Sequence, residues 1–367
     1  MDISLTNILP VFCTAFAIAL AMSPVSIFLA KKLNIMDVPK DARRMHTRSI
    51  PRFGGFAIFV SVMATLQMFE GDDERIRTAM IGGVFIYLLG IIDDKFDLHA
   101  GFKFVCQLAV ALLMYYMGLR INFIENYAGS GVWKFDETLC LIITVLWIVG
   151  ITNTINLIDG LDGLAAGTTA IVALCMAYVA YIHGDTFGMT IVCVALVAIA
   201  GACVGFLPFN FSPAKTFLGD GGALFLGYMI AIMSVIGPLK RSTVIAVFVP
   251  IVALAIPIFD TLFAIVRRLI SGQPIMGADK GHLHHRLMNS GYGQKRSVLM
   301  LYGISGIMGM SAVLISRELY KDAFVLAAIA AVYLYVFLTG PNSTTAKKEE
   351  ARERQRMLHH EAEEKEK

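Results

Sequence analysis

Apolar runs as long as a bilayer crossing recur along this chain, and they restrict its fold more than any motif does. A crossing helix needs roughly 17–25 mainly apolar residues. Runs of this kind follow one another from residue 8 to residue 339, separated by short polar loops. Of the 367 residues, 57% are hydrophobic and only 16% are charged, against roughly 25% charged in a soluble domain. Backbone in hydrocarbon has no water to bond with, so each run must be helical. The expected fold is an all-α, polytopic transmembrane helix bundle of about eleven spans. They fall near residues 8–30, 53–69, 78–92, 102–118, 138–157, 163–183, 188–206, 222–237, 243–265, 297–316 and 323–339. The first run lacks a basic start, since Asp2 is the only charge before Lys31. It reads as a first transmembrane helix rather than a cleaved signal. Residues 1–340 form an integral membrane domain, and 341–367 form a charged tail of mixed sign that reads as a solvated end.

The six cysteines lie within or beside apolar runs and none makes a C-x-x-C pair. They read as small buried hydrophobes rather than as a disulfide framework or a zinc site. A net charge of +3 supplies no basic field for nucleic acid. The few charges are instead clustered. The loops 31–52, 93–103, 158–162, 207–221 and 266–296 plus the tail hold about 23 Lys and Arg, and the opposite loops about 8. The richer set is expected on the cytoplasmic side, with the N-terminus outside and the C-terminus inside.

On that topology the acidic and histidine motifs all face the cytoplasm. Asp93 and Asp94 close the third span in GIIDDKFDLHAGFK. They could be a solvated helix end. Adjacent carboxylates beside an apolar segment also suppress each other's ionisation, which suits a base or a metal site. Asn153, Asn156, Asp159 and Asp162 stand three apart in NTINLIDGLDG. On a continuing helix they would line one face, while Gly160 and Gly163 interrupt or bend it. Four polar groups exceed what a cap requires. Asp220, in FLPFNFSPAKTFLGDGG, is either a helix N-cap or a ligand for a hard cation beside phosphate oxygens. Asp279, His282, His284 and His285 lie in ADKGHLHHRL. Zinc usually takes nitrogen and sulfur ligands, and these loops hold no cysteine. With Lys280 and Arg286, the histidines suit phosphate oxygens better. His46, in RRMHTRSIPRFGG, is either a surface loop histidine or part of the same site. Carboxylates for Mg²⁺ and cations for phosphates make up the inventory of phosphoryl transfer.

These motifs, in order from Arg43 to Arg286, resemble the polyprenyl-phosphate N-acetylhexosamine-1-phosphate transferases. DDxxD at Asp93–Asp97, NxxNLIDGLDG and FLGDGG carry the resemblance, and HLHHR is more like the bacterial undecaprenyl-phosphate GlcNAc-1-phosphate transferases. The translocase branch, which uses UDP-MurNAc-pentapeptide, typically has three histidines in a row there, whereas Leu283 stands between His282 and His284 here. The resemblance implies a multi-pass protein of the bacterial plasma membrane. It would transfer GlcNAc-1-phosphate from UDP-GlcNAc to undecaprenyl phosphate, release UMP, and initiate a cell-surface glycopolymer. It implies Mg²⁺ as cofactor, with Mn²⁺ as the alternative, and leaves a homodimer open. By similarity Asp220 and Asp94 would hold the metal. Asp93, Asp94, Asp159, Asp162, His282 and His284 would be catalytic. His46, Lys103, Asn153, Asn156, Asn210, Lys280, His285 and Arg286 would bind substrate. A transporter is the competing class. Transporters place ionisable groups near the bilayer midplane, whereas here Asp260 is the main charge inside a span.

Overall fold

The computed structural model describes residues 5–37, 49–121, 123–125, 132–184, 188–236, 251–252, 254–270, 287 and 292–339. Eleven helices fall in these segments: α1 Leu5–Leu33, α2 Gly55–Glu70, α3 Glu74–Phe96, α4 Ala100–Tyr116, α5 Glu137–Ile158, α6 Leu164–Ile182, α7 Met189–Asn210, α8 Gly219–Ile236, α9 Ala255–Ile270, α10 Gln294–Ser316 and α11 Tyr320–Thr339. Two antiparallel ribbons complete the fold. β1 (Met36–Asp37) pairs with β2 (Ile50–Pro51), and β3 (Phe123–Glu125) pairs with β4 (Val132–Lys134). The all-α membrane bundle is therefore correct.

Each expected span has a helix, and among the described residues eight are long and apolar enough to cross a membrane. α2 and α4 have 16 and 17 residues, which at a 1.5 Å rise reach roughly 24–26 Å, short of a hydrocarbon core of roughly 30 Å. The expected span 243–265 is described only in part, and Asp260 lies in α9 with its side chain outside the described set.

α8 forms the centre. It is apolar on every face after its first turn, and 94% of it is buried, against 11% of the outer helix α11. A helix apolar all round must be enclosed. α3 and α5 flank it and α2 closes a third side, while α7 packs between α1 and α6. Apolar burial does not drive helices together in lipid, so close packing and interhelical hydrogen bonds carry the association. A Cβ on Gly201 of α7 would stand 2.6 Å from the Phe12 carbonyl oxygen of α1. Ser61 donates to the Ala15 carbonyl at 2.6 Å, Trp147 to the Ser234 hydroxyl at 2.7 Å and Tyr228 to the Ala79 carbonyl at 3.0 Å. Interhelical bonds of this type average about 0.6 kcal/mol each.

Helix direction decides where polar groups gather. α3 and α5 end, and α8 begins, at the same end of the bundle. The β1–β2 ribbon and the start of α2 lie there too. Asp73 and Asp136, the N-caps of α3 and α5, mark the opposite end.

Candidate active site

The last turn of α3 builds the first part of the site. Asp97 stops the helix in a left-handed conformation (φ 52°), donating its N–H to the Asp93 carbonyl at 2.8 Å. The chain turns back into α4, and Leu98 N–H donates to Asp93 Oδ1 at 2.9 Å. Lys103, in the first turns of α4, then reaches Asp93 Oδ2 at 2.6 Å. The third aspartate of DDxxD is thus a helix stop, and the first is a buried ion-pair partner.

Asp94 points toward α8. Its carboxylate accepts the N–H of Asp220 at 2.9 Å and of Gly221 at 3.0 Å, and pairs with Arg52 Nε at 2.8 Å. These N–H groups are among the four that a helix N-terminus leaves unpaired, where the helix dipole also favours an anion. A carboxylate from another helix therefore closes α8. Asp220 is one residue inside α8 and does not cap it. Its own carboxylate is free to accept Asn156 Nδ2 at 2.8 Å and Arg52 Nη2 at 3.1 Å, with Lys103 Nζ 3.9 Å away. Lys103 Nζ thus stands between the carboxylates of Asp93 and Asp220, 2.6 Å from the first and 3.9 Å from the second.

The glycines of FLGDGG make this approach feasible. Gly219 adopts a positive φ of 74°. A Cβ on Gly90 would overlap the Cα of Gly221, and a Cβ on Gly55 would overlap that of Gly222. Bare backbone on three helices lets α2 and α3 reach the N-terminus of α8.

The NTINLIDGLDG segment does not continue as a helix. α5 ends at Ile158, and Gly163 (φ 82°) starts α6. Only Asn153 and Asn156 share a helical face. Asn156 reaches Asp220. Asn153, a turn earlier, bonds to Gln107 of α4 and to the Val149 carbonyl. Asp159 is held well above the usual carboxylate range, by burial first and then by the charge of Asp220, with Arg52 opposing. Asp162 accepts Ala214 N–H at 3.1 Å and so holds the loop before α8. Asn210 donates to the Thr216 carbonyl at 3.0 Å, while its buried carbonyl oxygen has no partner among the described residues. His46, Asp279, Lys280, His282, His284, His285 and Arg286 lie outside the described residues.

Arg52 was not singled out from the sequence, although it bridges Asp94 and Asp220. Burial works against its charge, and the carboxylates of Asp94, Asp220, Asp159 and Asp93 more than offset that, raising its pKa. One available signal was a basic residue next to Phe53-Gly-Gly at the start of an apolar run, on the acid-rich side. Gln107 and Thr216 were also missed, since single uncharged polar residues carry no pattern of their own.

The chain is also similar to known proteins. The profile of glycosyl transferase family 4 matches residues 76–238, from α3 to the end of α8. A protein of Bacillus subtilis (strain 168), described as a probable undecaprenyl-phosphate N-acetylglucosaminyl 1-phosphate transferase, is 40% identical over 328 residues, covering 89% of this chain and 90% of that protein. This chain belongs to glycosyl transferase family 4. A second member, the decaprenyl-phosphate N-acetylglucosaminephosphotransferase of Mycobacterium tuberculosis (strain CDC 1551 / Oshkosh), is 33% identical over 309 residues, covering 77% of this chain and 76% of its own length. A phospho-N-acetylmuramoyl-pentapeptide-transferase of Oceanobacillus iheyensis is 29% identical over 333 residues, 85% of this chain and 98% of that protein. The family profile covers Asp93, Asp94, Lys103, Asn156, Asp159 and Asp220, and begins after Arg52.

Proposed function

We propose that this chain transfers N-acetylglucosamine 1-phosphate from UDP-N-acetylglucosamine to undecaprenyl phosphate, releasing UMP as the first step of a cell-surface glycopolymer. The observation that carries the reading is the cluster of Lys103, Asp93, Asp220, Asn156 and Arg52 at one end of a membrane bundle. Relatives with N-acetylglucosaminyl names and 33–40% identity support it over the pentapeptide branch.

In the reaction an oxygen of the lipid phosphate forms a bond to the β-phosphorus of the donor. The bond from that phosphorus to the bridging oxygen breaks, and UMP leaves with the electron pair. A phosphate monoester has its second pKa near about 6, so the nucleophile is already largely anionic at neutral pH. Asp93 is then needed to orient Lys103 and the acceptor rather than to deprotonate it. Lys103 offsets phosphate charge. Asn156 fixes one oxygen of Asp220, and the Asn210 carbonyl, without a partner among the described residues, would accept an N–H group of the donor substrate. His46, Lys280, His282, His284, His285 and Arg286 are assigned by sequence similarity to the phosphates of the substrates.

A divalent cation fits the donor set. Asp220 and its neighbouring carboxylates offer hard oxygens of the kind Mg²⁺ or Mn²⁺ takes. Asp94 and Asp93 both flank Asp220, the first bonded to its N–H and to Arg52 and the second to Lys103, so Asp220 with Asp94 remains the assigned ligand pair and Asp93 is the neighbouring carboxylate. Phosphate oxygens of the substrates would complete the shell, as is usual for Mg²⁺. When bound, the cation would neutralise charge on the diphosphate.

The Lys and Arg asymmetry supports a cytoplasmic site. Acids gathered at helix ends rather than at the midplane speak against a transporter. The test is UMP release by the purified protein supplied with undecaprenyl phosphate, Mg²⁺ and either UDP-GlcNAc or UDP-MurNAc-pentapeptide. Preference for UDP-GlcNAc is expected. Preference for the pentapeptide donor would move the chain to the translocase branch, and no release from either would reject the reaction.

A further inference from the structure

We infer that Arg52 is a positioning residue of the transfer reaction, whose guanidinium holds Asp220 against Asp94 so that the Asp220 carboxylate meets the reacting groups in one orientation. This rests on the reading that Asp220 serves phosphoryl transfer.

The geometry is that of a fork. Nε bonds to Asp94 at 2.8 Å and Nη2 to Asp220 at 3.1 Å. A planar guanidinium fixes the angle between two such bonds, which an ammonium cannot do. Asn156 holds the other oxygen of Asp220 at 2.8 Å. The Asp220 carboxylate is thus gripped at both oxygens, by α5 and by the segment before α2, and rotation about its last torsion breaks both contacts. Lys103 does not duplicate this role, because it pairs with Asp93 at 2.6 Å and stands 3.9 Å from Asp220.

Arg52 is delivered to this place by its backbone. The strip Pro51–Gly55 runs along Thr216–Leu218. The Pro51 carbonyl accepts Phe217 N–H at 2.8 Å and the Thr216 hydroxyl at 3.0 Å. Gly54 and Gly55 donate to the carbonyls of Phe217 and Leu218 at 2.9 and 2.8 Å, and Arg52 N–H donates to the Ile35 carbonyl at 3.1 Å. One zipped strip therefore brings Arg52 and Asp220 to the same point although 168 positions separate them. Because the strip is held by main-chain bonds, replacing the Arg52 side chain leaves it in place. The charge also matters. Four aspartates, Asp93, Asp94, Asp159 and Asp220, meet here, and Arg52 neutralises the pair that Lys103 serves least.

The test uses the full chain in detergent with Arg52→Gln and Arg52→Lys. UMP release is followed against UDP-GlcNAc concentration. Folding is checked by thermal unfolding, and Mn²⁺ binding is read by electron paramagnetic resonance without substrates. Small misplacements of a reacting group cost about 10²-fold in rate, so kcat of Arg52→Gln should fall by about that factor, with donor KM within about threefold. Mn²⁺ should bind more tightly to Arg52→Gln, since the cation competing for Asp220 is gone. Arg52→Lys keeps the charge without the fork and should stay at least about tenfold slow. Unchanged kcat, or a raised KM at unchanged kcat, overturns the inference, the second because it marks direct substrate binding. So does parent-like turnover by Arg52→Lys. Weaker or unchanged Mn²⁺ binding in Arg52→Gln overturns it as well, and a fall in unfolding temperature with it would leave Arg52 a purely structural part. If Arg52→Gln does not fold, Arg52→Lys carries the split of kcat against KM. Failure of the parent protein to release UMP rejects the proposed reaction, and the Mn²⁺ titration still reads the Arg52–Asp220 contact.

Discussion

The Asp94 carboxylate caps the N-terminus of α8 from another helix, accepting the N–H of Asp220 at 2.9 Å across a separation of 126 residues. That contact joins α3 to the central helix and leaves the Asp220 side chain out of the cap, where it meets Asn156 and Arg52. Replacing Asp94 with Ala leaves two helix N–H groups and the Arg52 guanidinium without this partner, at a side chain only 2% exposed. The Arg52 side chain is 37% exposed, so solvent screens the ion pair, and the loss of the two buried cap bonds sets a cost of about 2–4 kcal/mol. Asp94→Asn keeps one acceptor and should cost less, about 1–3 kcal/mol. Denaturation in detergent should rank the parent above Asn and Asn above Ala.

Asp220→Asn tests the opposite role. Asn can still accept from Asn156, and α8 keeps its cap from Asp94, so stability should change little. Loss of a charge contact to a transition state costs about 10²–10³ in rate. UMP release should fall by that factor at saturating and at limiting Mg²⁺. Turnover within a few-fold of the parent would remove Asp220 from the reaction.

Gly90→Ala should prevent α3 from reaching α8, because its Cβ would overlap the Gly221 backbone, and overpacking of this kind costs about 1–3 kcal/mol or more. Gly150 in α5 has nothing within 4 Å of an added Cβ. Gly150→Ala should be neutral or stabilise by about 0.5–1 kcal/mol through helix propensity. Yield of monodisperse protein and unfolding temperature measure both.

Asp73 caps α3 at the far end of the bundle, accepting from the N–H groups of Arg75 and Ile76 and pairing with the Arg75 side chain. Burial pushes its carboxyl up, but the Arg75 hydrogen bond and charge and the two backbone bonds outweigh it, and the net shift is downward. A lowered carboxylate contributes stability above its unfolded pKa of about 3.9, and that contribution is lost as pH falls through the folded value. Asp73→Ala should cost about 0.5–2 kcal/mol. The difference from the parent should be constant from pH 7 to pH 5 and shrink below about pH 4. UMP release should be unaffected.

Orientation is testable by single cysteines at Ser49, Ser130 and Ser290 in a background without native cysteines. A membrane-impermeant reagent on intact cells should label Ser130→Cys alone. Labelling of Ser49→Cys would turn the bundle over.

The sequence by itself determined the class of fold and the side on which chemistry is expected. Apolar runs cannot be satisfied except as helices in a bilayer, and carboxylates, asparagines and glycines at their ends mark where helices stop. It also located most of the cluster, because DDxxD, NxxN and FLGDGG each carry a local pattern. Only the tertiary structure decided the roles within it. Asp94 and Asp220 are alike in sequence, as carboxylates at helix ends, and what separates them is a contact between helices: one spends both oxygens on a cap and the other does not. Arg52 has only its place beside Phe53-Gly-Gly as a local signal, since its meaning lies in partners 42 and 168 positions away. Asp159 and Asp162 left the expected helical face because α5 stops at Ile158 and the chain turns before Gly163, in a positive φ, starts α6. Periodicity records how a segment meets its surroundings on average, and pairings between segments distant in sequence leave no trace in it.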